Sequence, residues 1–184
     1  MSKLTSFTFI SLDGYYKGQY EDISWNPHDA EGAAYSKENL KAKSTLLFGR
    51  VTYNMMAGFW PTQQAMEMDP DTARGMNNAD KIVFSRTMQK ADWQNTTIIK
   101  DDIITKMKQL KAEGGNDMTL LGSGNILTQF ADHNLIDEYI IMLNPIAIGE
   151  GTSIFKGLQN KLKLRLTNTR TFRSGAVVLS YEPR

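Results

Sequence analysis

The sequence predicts an α/β fold: a mixed, mostly parallel central sheet flanked by helices, with an antiparallel hairpin at its C-terminal end. Short apolar runs of strand length alternate with amphipathic stretches from residue 4 to residue 143, the pattern of strand–helix–strand crossovers. Two alternating segments, 162–172 and 176–182, then flank Ser174-Gly175, a hairpin signal. No repeat or linker-like stretch divides the chain, and residues 1–184 read as one domain.

The first strand runs from Leu4 to Leu12, rich in Phe, Thr and Ile, and Asp13-Gly14 breaks it. Residues 15–28 read as a loop with Gly18, Trp25 and Pro27, after which Asp29 caps a helix over 30–42. Residues 45–48 form a buried strand ending at Gly49-Arg50, and residues 51–58 are helical. The polar stretch 61–78 reads as a loop with a helical turn. Strands follow at 81–84 and 96–99, and an amphipathic helix over 102–113 stops at Gly114-Gly115. Residues 118–121 are a strand, 126–133 a helix and 136–143 a long apolar strand. Met55, Met56, Met107 and Met142 fall on apolar faces and read as core filling.

Composition narrows the function. The 184 residues are 41% hydrophobic and 22% charged, with a net charge of +1 and no basic block, which argues against a nucleic-acid surface. Cysteine is absent, excluding disulfide scaffolds, thiolate metal sites and cysteine nucleophiles. The two histidines, His28 and His133, have no metal-ligand spacing, so no metal is expected. No apolar run approaches membrane-spanning length and the first residues lack a signal-peptide core, so a soluble, cytoplasmic protein is expected.

The most informative stretch is Gly122-Ser123-Gly124-Asn125, a glycine-rich loop between a buried strand and a helix beginning at Ile126. Glycines let backbone approach a ligand closely, and first-turn N–H groups favour anions such as phosphate. Two further loops stand at strand ends: Gly49-Arg50-Val51-Thr52-Tyr53 and Ser85-Arg86-Thr87. Each offers a glycine backbone, hydroxyls or a guanidinium suited to phosphate, and ligands of such sheets bind beyond the carboxyl ends of the strands. Taken singly, Arg50 and Arg86 read equally as solvated helix-start residues.

These motifs occur in a familiar order. Ser11-Leu12-Asp13-Gly14, Phe48-Gly49-Arg50-x-Thr52-Tyr53, Val83-Phe84-Ser85-Arg86-Thr87, Gly122-Ser123-Gly124, and Pro145 followed by Gly149-x-Gly151 and Phe155 resemble the dihydrofolate reductase-like superfamily over residues 4 to 182. The chain is most similar to the branch holding the reductase domain of bifunctional riboflavin-biosynthesis enzymes and its stand-alone relatives. The resemblance implies an NADPH-binding reductase acting on a small-molecule substrate. Gly49, Arg50 and Thr52 would then support the adenosine half and pyrophosphate of NADPH. Ser85, Arg86 and Thr87 would receive the 2′-phosphate. Gly122, Ser123, Gly124, Asn125 and Ile126 would lie along the pyrophosphate, and Ser11, Asp13 and Gly14 would approach the nicotinamide. Two arginines near a phosphate-rich ligand favour NADPH over NADH.

The substrate side follows by the same resemblance. Hydride transfer needs a proton, and folate reductases place an acidic residue after a tryptophan at the start of the next helix. Here Asp29 and Glu31 compete for that catalytic role, with a helix cap and a dipole charge as the competing readings. Asp13 is a third candidate and also reads as a turn residue. Trp25, Tyr35, Tyr53 and Trp60 read either as a flat site for a pterin or pyrimidine ring or as core aromatics. Leu121 stands where riboflavin-type reductases commonly carry an acidic residue, and the first helix has one lysine, both of which weaken a phosphorylated ribosylaminopyrimidine as substrate. Another small carbonyl or imine substrate, or a catalytically silent dinucleotide-binding module, are the other readings. Relatives of the riboflavin type are commonly dimers, and the apolar strand 136–143 must be covered on both faces, so a homodimer is expected.

Overall fold

Six parallel strands and a C-terminal antiparallel hairpin form one eight-stranded sheet in the computed structural model, which describes residues 1–26, 30–40 and 44–184. The elements in chain order are β1 (Leu4–Ile10), β2 (Tyr15–Lys17), a 3-10 turn (Gln19–Glu21), α1 (Ala30–Leu40), β3 (Thr45–Gly49), α2 (Arg50–Phe59), α3 (Gln63–Met68), α4 (Pro70–Asn78), β4 (Lys81–Phe84), β5 (Thr96–Ile99), α5 (Ile103–Glu113), β6 (Met118–Leu121), α6 (Gly124–Asp132), β7 (Glu138–Leu143), β8 (Thr152–Ser153), β9 (Leu164–Thr171) and β10 (Val177–Pro183). The sheet order is β5-β4-β3-β6-β1-β7-β10-β9, and β2 pairs with β8 in a separate small ribbon. The α/β architecture with a mostly parallel sheet and terminal hairpin is the one the sequence predicts. The expected cap at Asp29 and the last turn of the first helix at 41–42 lie outside the described residues.

Strand alternation sorts the core into two layers. Leu4, Leu47, Phe84 and Leu120 point to the face covered by Met107 of α5 and by Ile126, Leu127 and Phe130 of α6. Phe7, Ile140, Met142 and Val178 point to the other face, against Tyr35 of α1. On that second face Leu46, Phe48 and Val83 pack under Tyr53 of α2 and Met76 of α4. Lys81 closes this cluster from the far edge of the sheet. Its ammonium lies 4.6 Å from the Trp93 ring centroid and donates to the carbonyls of Asn77 and Ala79, while burial pushes its pKa down to about 8.

Two stretches differ from the sequence reading. Residues 61–78 hold two helices. Thr62 caps α3 through the Ala65 N–H, and Asp69 caps α4 through the Thr72 N–H with Pro70 at the first helical position. Their polar outer surfaces hide the apolar period, but the Asp-Pro start signal was present. The loop after the first strand contains β2, too short for periodicity to reveal. Met55, expected in the core, is 39% exposed, whereas Met107 and Met142 are buried.

Around β7 and β10 the sheet is only half covered on the α6 side by the described residues. Ile141 and Leu143 of β7 pair with Leu179 and Val177 of β10, and all four side chains share this face, half-buried and outside the packed clusters of the described residues. Leu166 on the outer strand β9 is 49% exposed beside them. No helix among the described residues is long and apolar enough to cross a membrane.

Candidate functional site

The crossovers part to opposite faces at the carboxyl ends of the strands. The helices that follow β1 and β3 pack on one face, whereas α6, which follows β6, packs on the other. Because β6 lies between β3 and β1, the chain parts to opposite faces on both sides of it. Such a reversal is where open α/β sheets bind ligands. The loops at 85–87, 49–52, 122–126 and 11–14 follow β4, β3, β6 and β1, which are consecutive neighbours in the sheet. At the usual strand spacing these four strands span about 14 Å along one rim.

The central two loops are joined. The Gly49 N–H donates to the Ser123 hydroxyl at 2.8 Å, and that hydroxyl donates to the Leu121 carbonyl at 2.9 Å. A Cβ at Gly49 would meet Ile126 Cγ1 at 3.3 Å and Ser123 Oγ at 3.5 Å, and one at Gly122 would meet Thr52 Oγ1 at 3.7 Å. The structure therefore brings Gly49, Thr52, Gly122, Ser123 and Ile126 into one cradle. The chain leaves β6 through two left-handed residues, Gly122 at φ 53° and Ser123 at φ 58°. Glycine adopts this freely; serine does so at a cost, which its two hydrogen bonds offset. The turn sets the start of α6 on this rim, where the first N–H groups lack intrahelical acceptors.

The outer loops carry charge and hydroxyls. Arg50 opens α2, Arg86 follows β4, and both side chains are exposed with no salt bridge among the described residues. The Ser85 hydroxyl accepts from the Met88 N–H at 3.1 Å, which turns Arg86 and Thr87 outward. At the end of β1, buried Ser11 donates to the Asp13 carboxylate at 2.6 Å and accepts from the Tyr15 N–H. Asp13 also accepts from the N–H groups of Ile148 and Gly149. The Ser11 hydroxyl, helped by those two N–H groups, holds the Asp13 carboxyl below the usual carboxylate range. Asp13 thus ties the β1 loop to the loop after β7 as an ionised anchor, which does not suit it to give up a proton. Gly14, at φ 87°, makes the turn between β1 and β2.

Of the candidate substrate residues, Glu31 and Tyr35 meet the same hairpin, whereas Tyr53 and Trp60 lie apart in another cluster. Glu31 accepts from the Arg173 N–H at 2.6 Å and pins the start of α1 to the hairpin between β9 and β10. Tyr35 lies between Phe7 and Phe172, with the Arg170 guanidinium 5.5 Å from its ring. Tyr53 is a core residue: it is 3% exposed, and its hydroxyl accepts from the Trp93 N–H. Trp60 packs in the same cluster and donates to Met56 Sδ. Tyr53, Met56, Ala57 and Trp60 recur at helical spacing, so the period of α2 already marked this pair as its inward face. Trp25 stays on the loop, donating to the Asp22 carbonyl. Asp29 lies outside the described residues.

Two groups at the rim escaped the sequence reading. Tyr16 of β2 stands over Gly124, and buried Asn144, after β7, donates to Asn26 at 3.1 Å and so holds the Trp25 loop against the sheet. An aromatic pair directly after Asp13-Gly14 and an asparagine before Pro145 were the available signals.

Comparison with known proteins places this geometry. The profile of the RibD C-terminal domain matches residues 2–178. The protein YyaP of Bacillus subtilis (strain 168) is 30% identical over 176 residues, which are 94% of this chain and 90% of YyaP. Among solved structures, a protein of Shewanella sp. PV-4 named for riboflavin biosynthesis superposes with a TM-score of 0.75 at 22% identity, covering 99% of both chains. The diaminohydroxyphosphoribosylaminopyrimidine deaminase/5-amino-6-(5-phosphoribosylamino)uracil reductase of Thermotoga maritima gives a TM-score of 0.70 at 15% identity. That match covers all of this chain and 57% of the Thermotoga chain. At these identities the two structures speak to the fold.

The cradle makes a testable demand on Ser123. Ser123→Ala removes the hydroxyl that serves both the Gly49 N–H and the Leu121 carbonyl, and it is expected to lower stability by about 1–3 kcal/mol in urea unfolding. Ser123→Gly loses the same bonds but relieves the left-handed backbone, and should recover about 1 kcal/mol of that loss. Equal midpoints for the two variants would mean that the turn carries no strain.

Proposed function

The chain belongs to the RibD C-terminal domain family, and we propose on that footing that it is an NADPH-dependent reductase acting on a small planar nitrogen heterocycle of the pterin or pyrimidine kind. The observation that carries this reading is the order of the four loops along one rim. Exposed guanidinium and hydroxyls stand at one end, a glycine cradle with a helix N-terminus at the middle, and the end of β1 at the other. That series suits an extended dinucleotide with a phosphorylated ribose, a pyrophosphate and a nicotinamide in the same order. When bound, NADPH supplies the hydride.

The chain's own residues divide the remaining work. Arg86, with Ser85 and Thr87, meets the 2′-phosphate, and Arg50 with Thr52 meets the adenosine side of the pyrophosphate. The first-turn N–H groups of α6 at Gly124 and Asn125 hold the pyrophosphate itself, beside Ile126. The backbone of Ser11 and Gly14 borders the ring. Glu31, or Asp29 two residues before it, supplies or relays the proton from the start of α1, and Trp25 and Tyr35 border the heterocycle. The half-buried aliphatic patch of Ile141, Leu143, Val177 and Leu179 supports a homodimer that covers it.

Titration of the protein with NADPH, followed by a panel of pterins, pyrimidines and small imines read at the nicotinamide absorbance, tests the reading. Stoichiometric NADPH binding is expected. Absence of binding overturns it, and binding without turnover on any substrate would leave a silent dinucleotide-binding module. Arg86→Ala should weaken NADPH by about tenfold or more while leaving NADH nearly unchanged. Equal losses would move Arg86 away from the 2′-phosphate. For the proton, Glu31→Gln is expected to slow single-turnover hydride transfer by about 100-fold with little change in NADPH affinity. A variant that only melts earlier would reduce Glu31 to its anchor on the hairpin. Light scattering at micromolar concentration should give the mass of two chains, and Leu179→Lys should shift it to one.

A further inference from the structure

The two glycines of the Gly122-x-Gly124 loop are there for different reasons. At Gly122 the backbone is left-handed, a conformation that favours glycine. Gly124 has no such conformation, and what a side chain there would meet is Tyr16. A Cβ at Gly124 would lie 3.0 Å from Tyr16 Cε1, 3.1 Å from Cζ and 3.2 Å from the hydroxyl oxygen. The phenol edge and its hydroxyl therefore rest directly on the first residue of α6.

Several distant features converge to put the ring there. Tyr16 belongs to a three-residue strand, too short to hold itself. It is held by β8, through pairs Tyr15 with Ser153 and Lys17 with Thr152. The approach of β8 is close enough that a Cβ at Gly151 would lie 2.3 Å from the Lys17 carbonyl oxygen, so only glycine fits. The Asp13 carboxylate fixes the same segment through the N–H groups of Ile148 and Gly149. The Gly149-x-Gly151 motif thus acts at a distance: it sets the position of the phenol over α6.

Two more polar groups belong to this neighbourhood. The Lys17 ammonium lies 5.4 Å from the Tyr16 ring centroid. On the sheet side, Thr8 is 3% exposed and its hydroxyl has no hydrogen-bond partner among the described residues. The register Phe7 with Leu121 sets Thr8 level with Gly122, on the face that α6 covers. A buried hydroxyl without a partner is uncommon in folded proteins.

We propose that Tyr16 is a positioning residue of the dinucleotide site, its hydroxyl donating to the pyrophosphate that the α6 N-terminus holds. This rests on the dinucleotide reading above. The anion would then be met from one side by helix N–H groups and from the other by a phenol O–H, which fixes the bridge of the ligand rather than either end. The hydroxyl addresses a part common to NADPH and NADH, so its loss must cost both alike, in contrast to Arg86.

Tyr16→Phe keeps the ring on Gly124 and removes only the hydroxyl. Its melting temperature should match that of the unaltered protein, and its Kd for NADPH and for NADH should both rise by about tenfold. Unchanged affinity for NADPH, or a loss confined to NADPH, overturns the proposal. A lower melting temperature with unchanged affinity also overturns it, making Tyr16 packing alone. If the unaltered protein binds neither dinucleotide, the cofactor reading itself fails and this inference falls with it, an outcome distinct from normal binding by the Phe variant.

Discussion

The rim depends on one constraint, the way the chain leaves β6. The strand lies between β3 and β1, and its following helix must cross to the face opposite the helices of both neighbours. An ordinary turn would carry the chain outward along the sheet. Two successive left-handed residues instead fold it back, and the Ser123 hydroxyl locks the fold-back to the start of α2. The approach of Thr52 to Gly122 and the position of the α6 N-terminus on the rim both follow from that turn.

The rim carries open positive charge. Elsewhere on the surface some charges are paired: Arg165 with Glu182, Arg170 with Glu38, and Lys37 with Asp71. Such exposed pairs contribute little to stability. Arg50 and Arg86, like Arg173 and Arg184, are exposed and without a salt bridge among the described residues. The placement of Arg50 and Arg86 at consecutive strand ends is a feature of the topology, since α2 begins directly after the last residue of β3 and the Ser85 turn directs Arg86 outward.

Much of the fold was legible in the sequence because buried parallel strands are short apolar runs and each crossover helix has a period of its own. The strands at 45–49, 81–84, 96–99 and 118–121 fall where the pattern puts them. The helices at 63–68 and 70–78 were missed because they bury only a few side chains, such as Ala65, Ala73 and Met76, and expose the rest. At the site, the loops were legible because glycine, serine and arginine at strand ends have few structural uses in common. The aromatics were not. Tyr53 and Trp60 are hydrophobic enough for a core and flat enough for a ligand, and only the inward period of α2 separates the two. Tyr16 was invisible because its importance lies in what it touches 108 positions away along the chain, at Gly124.

The central position of β6 has a consequence for how the chain reaches this structure. The strands on either side of it, β1 and β3, are made early in the chain, while β6 comes after β4, β5 and α5. Until residues 118–121 are available, β1 and β3 have a vacant place between them and no ladder to share. The bonds that fill it are long-range, as where the Lys3 N–H meets the Asp117 carboxylate across 114 residues at 2.8 Å. Closure of such separations is entropically costly before it is rewarded, and it slows folding. During synthesis, the first hundred residues must therefore wait, strand edges open, for the segment that completes both the sheet and the cradle.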